Sequence, residues 1–270
     1  MRTILLTGLA LATIAGCNNS APNDNPDSPV DPVDPTDPDD PPNPQETARD
    51  NDELATIIAA HLRAEFALQL TAAAIVRNEY ALPEGFVITG DDGADAIGNG
   101  TFGGLSINFA LHCNDGTDQH NRVPCNEYAH HGHIKLTIAG SQTMGVIAMN
   151  DMNRVVNWEI RDVNLGKARF RGPDGLVLKS AVTTNGEQAN YTVMFDAIYE
   201  QVRFLPAATI PTFGTIDFTV NTQRDRGADH RVFDTIAHLN YGASGAPTTL
   251  TFDSSINYNV DLKTGDVIKQ

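Results

Sequence analysis

The sequence predicts an α+β protein that is mainly β, in which one N-terminal amphipathic helix packs on or into a curled antiparallel sheet. The sheet is expected to have about ten strands and to form an open barrel or a sandwich. Two observations predict this fold. Apolar residues first recur every four positions, which is the period of a helix with one buried face. From residue 86 onward they alternate with polar residues, which is the period of a half-buried antiparallel strand.

The first residues have the layout of an export signal. Met1-Arg2 is cationic, an apolar run extends from Thr3 to Ala12, and small residues come before Cys17. The apolar run is shorter than the ~20 residues that are needed to span a bilayer. Residues 1–16 are therefore predicted to be a signal peptide rather than a membrane helix.

The residues at the end of this run, Ile14-Ala15-Gly16-Cys17, resemble the lipobox of bacterial lipoproteins. The resemblance implies cleavage after Gly16, lipidation of Cys17 with acyl chains such as palmitate, and a membrane anchor on the mature chain, because two or more chains hold firmly. Asn18 stands where an aspartate usually causes inner-membrane retention, so the resemblance favours the cell outer membrane, with the domain on its periplasmic or surface face. The alternative is an ordinary signal peptide followed by a chance cysteine.

Residues 17–45 are predicted to be a lipidated cysteine followed by a disordered tether. Seven aspartates and nine prolines lie within residues 18–45, and such a segment cannot bury enough apolar surface to fold. Proline and charge repulsion keep it extended. A calcium-binding tract is the alternative, although an extended chain holds no fixed set of oxygen ligands. Residues 46–270 are expected to form a single domain.

The segment from about Asp52 to Glu79 is predicted to form the helix, and Pro83 and Gly85 follow its end. His61 falls outside the apolar stripe and is expected on the surface or at a rim. The stripe is expected to pack in the core, or to close a ligand cavity. It consists of Leu54, Ile58, Leu62, Phe66 and Leu70.

The strands are predicted where apolar and polar residues alternate between short runs of Gly, Asn and Asp. Asn150-Asp151 and Pro173-Asp174-Gly175 are two of the sequences that are interpreted as turns. The clearest alternating runs are 105–111, 134–138, 156–160, 216–220 and 256–262.

Charge and cysteine content limit the function. The net charge of -16 disfavours nucleic acid as a partner. Cys113 and Cys125 form an even pair in an exported chain, which predicts a disulfide bond. A metal site that uses both thiolates is the alternative, but the pair lacks the C-x-x-C spacing of zinc sites.

The candidate site with the clearest pattern is rich in histidine, because five of the eight histidines lie within residues 112–133. Strand parity places His112, His131 and His133 on one outward face, where three imidazoles could bind a divalent metal. Glu127 or Asp115 could add an oxygen ligand. His130 has the opposite parity and is expected to be buried or at an edge. A polar outer face that happens to contain histidines is the alternative.

A second candidate is the charged stretch Arg224–Arg231, which is predicted to be a solvated hairpin loop with local ion pairs. His230 could form an acid–base dyad with Asp225 or Asp229. Asp229 and His230 are poorly placed for this, because adjacent strand residues point to opposite faces.

The chain contains no nucleophile elbow, no P-loop, no dinucleotide fingerprint and no H-E-x-x-H motif, so no catalytic residue is assigned. The favoured function is a lipid-anchored envelope protein with a non-enzymatic β-rich domain. Its partners would be the membrane, through Cys17, and either an unknown protein or a small apolar ligand, with no cofactor required. The alternative is a metal-dependent envelope protein, such as a hydrolase, that uses His112, His131 and His133.

Overall fold

The computed structural model describes residues 43–79, 81–91, 95–114, 122–126, 129–145, 147–162, 165, 167–242, 246–253 and 255–270. The predicted signal peptide, the lipidation site at Cys17 and the candidate ligands Asp115 and Glu127 lie outside these residues, as does the tether up to residue 42.

Helix α1 spans Pro44–Arg77 and therefore begins well before the predicted start near Asp52. The side-chain oxygen of Asn43 caps the helix by accepting a hydrogen bond from the backbone N–H of Gln45 at 3.0 Å. Pro44 occupies the first turn, where a missing N–H costs nothing because that group has no partner within the helix. The last residues of the predicted tether therefore belong to the helix. No helix in the described part of the chain is both long and apolar enough to cross a membrane.

Helix α1 is not clearly amphipathic, in contrast to the prediction, because it is buried on more than its apolar stripe. Leu54, Ile58 and Leu62 are fully buried, as the periodicity predicts. Polar residues outside the stripe are buried as well, because strands of the sheet described below contact the helix. His61, which was expected at the surface, is one of these. The buried polar residues of α1 are Asp50, Asn51, Glu53, His61, Glu65 and Gln69.

The described residues form thirteen strands rather than about ten. They are β1 (Phe86–Asp91), β2 (Ala96–Phe102), β3 (Leu105–Asn114), β4 (Arg122–Val123), β5 (His131–Met144), β6 (Ile147–Arg161), β7 (Ala168–Thr184), β8 (Glu187–Phe204), β9 (Phe213–Arg226), β10 (Asp229–Asn240), β11 (Thr248–Phe252), β12 (Ile256–Val260) and β13 (Val267–Lys269).

The strands form one antiparallel meander, which confirms the predicted mainly β, antiparallel class. Each strand pairs with the next in sequence, except that β4 pairs only with the end of β3, and β5 is the following neighbour of β3. The sheet is not closed, because β1 and β13 lie at its two ends. Helix α1 packs against one face of the sheet. The opposite face is called the outer face below.

The additional strands include segments in which alternation is weak. In β2, Gly98 and Gly100 stand at positions where a larger side chain would collide with the rings of Phe109 and Phe86. The neighbouring strands supply the apolar surface at those positions, so β2 itself carries little pattern. Strands β4 and β13 are too short to show a period.

The predicted disulfide agrees with the structure. The Sγ atoms of Cys113 and Cys125 are 2.06 Å apart, and both residues are fully buried. The bond ties the end of β3 to the segment that follows β4. His112 therefore lies next to a covalent cross-link, in a part of the sheet whose backbone is held from two sides.

Candidate functional site

The three predicted histidines do face outward, and two of them are direct neighbours. His112 on β3 and His133 on β5 are cross-strand partners, and their rings stack with centroids 4.7 Å apart and an interplanar angle of 16°. His131 pairs instead with Asn114 in the register of the same two strands.

Two carboxylates lie behind these rings. Asp95 is 2.9 Å from Nδ1 of His112, and Glu159 is 3.7 Å from Nδ1 of His131. Burial and the neighbouring His112 lower the pKa of His133. Burial and Arg161 likewise lower the pKa of His131.

His130 does not follow its prediction, because it is exposed. It lies in a bend before β5 begins, and strand parity does not apply there. Its backbone N–H donates to the carbonyl of Asn114 at 3.1 Å.

The stretch Arg224–Arg231 forms the predicted hairpin with local ion pairs, Arg224–Asp229 and Asp225–His230, but it is only partly solvated. Strand β9 continues to Arg226 and β10 starts at Asp229, so the turn itself is short. Arg224 and Arg226 occupy inward positions of β9 and are buried. The charges of this stretch therefore belong in part to the interior.

These arginines bind the first turns of α1. Asp50 accepts hydrogen bonds from Arg224 Nε and Arg226 Nη2, both at 3.1 Å, and from Arg231 Nη1 at 2.7 Å. Glu53 accepts from Arg226 Nη2 at 2.8 Å.

Tyr191 also binds Glu53, because its hydroxyl group donates a hydrogen bond to that carboxylate at 2.6 Å. Burial alone would raise the pKa of Glu53, but the bonds from Tyr191 and Arg226 outweigh it and hold that pKa below its ordinary value. Both carboxylates therefore have cationic partners. We call Asp50, Glu53, Arg224, Arg226 and Arg231 the N-terminal ion cluster.

The predicted dyad is only partly assembled. Asp225 and His230 are cross-strand partners, with 2.6 Å between Asp225 Oδ1 and His230 Nδ1. Both side chains are about half exposed, at 49% and 56%. Asp229 points the other way and binds Arg224, as parity requires. The Asp225–His230 pair is a surface contact on the outer face.

A second buried ion network was not predicted from the sequence. Arg154 on β6 donates to both carboxylate oxygens of Asp174 on β7, at 2.8 and 2.5 Å. The same guanidinium lies 3.3 Å from Glu65 of α1. Tyr199 donates to Glu65, and His61 Nε2 lies 3.0 Å from the same carboxylate. We call these five residues the central ion network.

The central ion network contains a set of three metal-ligand residues that lie close together. Among the described residues, His61, Glu65 and Asp174 offer ligand atoms that are all within 4.8 Å of one another. However, Arg154 already supplies the cation there, because its guanidinium contacts both carboxylates. Burial alone would raise the pKa of Glu65, but the charges of Arg154 and His61 lower it. The geometry therefore fits an ion network better than a metal centre.

Little free space remains beside this network. The cavity lined by His61, Glu65 and Arg154 has a volume of about 10 Å³. A cavity needs roughly that volume to hold one water molecule. The interior at this point is thus filled by α1 and the side chains that it contacts.

The outer face carries a group of exposed apolar residues on strands β6, β7, β8 and β10. They are between 38% and 65% exposed. Strand β9 lies between β8 and β10 and contributes the polar residues Asp217 and Thr219 to the same face. We call the group of exposed apolar residues the outer patch. It consists of Val155 on β6, Val177 on β7, Met194 and Ile198 on β8, and Ile236 on β10.

Three residues of the outer patch, Val155, Ile198 and Ile236, line a depression of about 560 Å³. Its floor is formed where β7 carries Pro173 and Gly175, which were interpreted as turn residues but lie within the strand. Neither has a long side chain, so the surface is low between Val155 on one side and Ile198 on the other. Proline also has no N–H to donate, and the β6–β7 ladder is interrupted here.

Comparison of the chain with models of protein families, with characterised proteins and with solved structures gives no match. Functional inference therefore rests on the geometry of the outer patch, the histidines and the two ion networks.

Proposed function

We propose that the chain is a lipid-anchored cell-envelope protein whose domain binds a protein partner through the outer patch and is not an enzyme. The observation that carries the proposal is the group of exposed apolar residues around a depression on the outer face. Exposed apolar patches that are rimmed by polar residues are typical of interaction sites.

The alternative occupant, a small apolar ligand inside the sheet, is less well supported. The inner face of the sheet is covered by α1, whose residues Leu54, Ile58 and Leu62 are fully buried. The cavity beside His61 and Glu65 is only about 10 Å³. An acyl chain would have to displace the helix and with it the buried ion pairs, which favours the outer face as the binding surface.

The charge around the outer patch indicates the chemistry of the partner. Asp196 and Asp217 line the depression itself. Asp234 lies outward on β10, next to Ile236 in the alternation of that strand. The chain as a whole has a net charge of -16. A complementary partner would place an apolar side chain in the depression and lysine or arginine around it.

The anchor in this proposal is Cys17. In cells that are fed labelled palmitate, we expect the wild-type chain to be labelled and recovered with membranes. The Cys17→Ser chain should be unlabelled and recovered in the soluble fraction, because no acyl chains hold it. If the Cys17→Ser chain is still labelled and still sediments with membranes, the lipobox interpretation is wrong.

The partner can be tested by photocrosslinking in cells. A photoreactive amino acid at Ile236 is expected to give a discrete crosslink to a second protein. Val232 is the matched control, because it is on the same strand and outer face and is similarly exposed, at 68% against 65%. It lies ~13 Å away along the strand. A photoreactive amino acid at Val232 should give no such crosslink.

Charge reversal tests the expected chemistry of the partner. Asp196→Lys should weaken the crosslink at Ile236, whereas Asp266→Lys, which changes an exposed carboxylate near β13, should leave it unchanged. Crosslinks only to a second copy of the chain, only to lipid, or to no molecule would each contradict the proposal. An equal effect of the two charge reversals would contradict the charge argument.

A further inference from the structure

We propose that His112 and His133 form a two-histidine binding site for a divalent transition-metal ion on the outer face. The two residues are direct cross-strand partners in β3 and β5. Their rings are parallel, with centroids 4.7 Å apart. A metal that binds one nitrogen of each ring holds those atoms about 3.3 Å apart, given metal–nitrogen bonds of ~2.0 Å. Both side chains would have to rotate out of the stacked arrangement, in which the ring planes are 16° apart, until one nitrogen of each ring points at the ion.

The carboxylate of Asp95 prepares one of these rings for a metal. It lies 2.9 Å from Nδ1 of His112, so a proton on Nδ1 is held there and the lone pair is on Nε2. A carboxylate behind a metal-binding histidine fixes its tautomer and raises its basicity.

The third predicted ligand, His131, is not required by this arrangement. It lies two residues before His133 on the same face, and its Nδ1 faces Glu159 at 3.7 Å. The site is therefore a two-imidazole site whose remaining ligands are water molecules. This is simpler than the three-histidine site that the sequence predicts.

The ligand set decides the class of metal. Two neutral imidazoles favour Cu²⁺, Ni²⁺ or Zn²⁺, with Cu²⁺ bound most tightly, and they disfavour Ca²⁺ and Mg²⁺, which prefer oxygen. Asp95 and Glu159 offset the charge of the ion, while Arg161, which binds Glu159 at 2.7 Å, opposes it. The site is on β3 and β5, apart from the strands that carry the outer patch, so it does not depend on the proposed partner binding.

Calorimetric titration of the full mature chain with CuCl₂ and with ZnCl₂, in detergent and without a purification tag, tests the site. We expect one equivalent of each metal to bind. His112→Asn and His133→Asn should each lower the affinity at least tenfold. Asp95→Asn should lower it about tenfold, because it removes the carboxylate behind His112. Circular dichroism checks that each variant is folded.

His238→Asn is the matched control. His238 is also exposed on the outer face, and its Nδ1 also lies next to a carboxylate, that of Asp217 at 2.5 Å. Within the described residues it has no stacked imidazole. We expect its substitution to leave affinity and stoichiometry unchanged. The proposal is overturned if the chain binds neither metal, if the His112→Asn/His133→Asn double variant binds as tightly as wild type, or if His238→Asn loses as much affinity as His133→Asn.

Discussion

Replacement of Arg154 by methionine is expected to lower the free energy of unfolding by about 3–5 kcal/mol, the usual cost of removing one partner from a buried ion pair. Methionine retains much of the arginine volume, so the main loss is the positive charge. The carboxylates of Asp174 and Glu65 would then lie buried without the guanidinium that contacts both of them. Urea unfolding followed by circular dichroism measures the effect.

Arg161→Met is the matched control for this prediction. Arg161 lies on the same strand and donates to the carboxylate of Glu159 at 2.8 Å, but it is 33% exposed, against 3% for Arg154. An exposed pair of this kind contributes at most about 1 kcal/mol. A second check combines Arg154→Met with Asp174→Asn, which should cost less than the sum of the single changes because the orphaned charge is reduced. Equal costs for Arg154→Met and Arg161→Met would contradict a buried network.

The broad fold could be predicted from the sequence because periodicity is a local property. The four-residue repeat of Leu54, Ile58 and Leu62 identifies a helix, and the alternation in β3, β5 and β9 identifies strands whose inner residues are buried as predicted. The number of strands could not be predicted, since β2 carries glycines under the rings of Phe86 and Phe109. Its pattern depends on neighbours that only the folded sheet brings together.

The ion networks could have been partly found from the sequence. Arg154 stands between Met152 and Val156 at inward positions of β6, and all three are buried. A charge at an inward position indicates that an opposite charge is buried with it, because an isolated buried charge is too costly. The partner could not be identified in the same way. Glu65 lies outside the predicted apolar stripe of the helix, and it is buried because the sheet also covers that part of α1.

The outer patch could not be predicted either, because it depends on how the strands pair in the folded sheet. Pro173 and Gly175 are typical turn residues, and the sequence offers no reason to place them inside a strand of 17 residues. Tertiary pairing with β8, which continues through Pro173 and Gly175, overrides the local preference. The resulting depression is formed by residues from five strands, so it is visible only when the register is known.

The N-terminal ion cluster leads to the second large prediction. Asp50→Asn is expected to lower the free energy of unfolding by about 3 kcal/mol, at the lower end of the cost of breaking a buried ion pair. Asp50 is 1% exposed and contacts three arginines, so the change removes a buried negative charge that Arg224, Arg226 and Arg231 share. The cost is at the lower end because Glu53 still binds Arg226 at 2.8 Å. Urea unfolding followed by fluorescence of Trp158, the single tryptophan, measures it.

Asp229→Asn is the matched control for Asp50→Asn, because it removes an exposed carboxylate that binds the same arginine, Arg224. Asp229 also binds Arg224, yet it is 45% exposed, so its removal should cost less than about 1 kcal/mol. If the two variants unfold at the same urea concentration, Asp50 contributes no more than a surface carboxylate and the cluster does not fix α1. If Asp50→Asn alone is destabilised, the first turns of α1, which directly follow the predicted tether, are held to β9 and β10 by buried charge rather than by apolar packing alone.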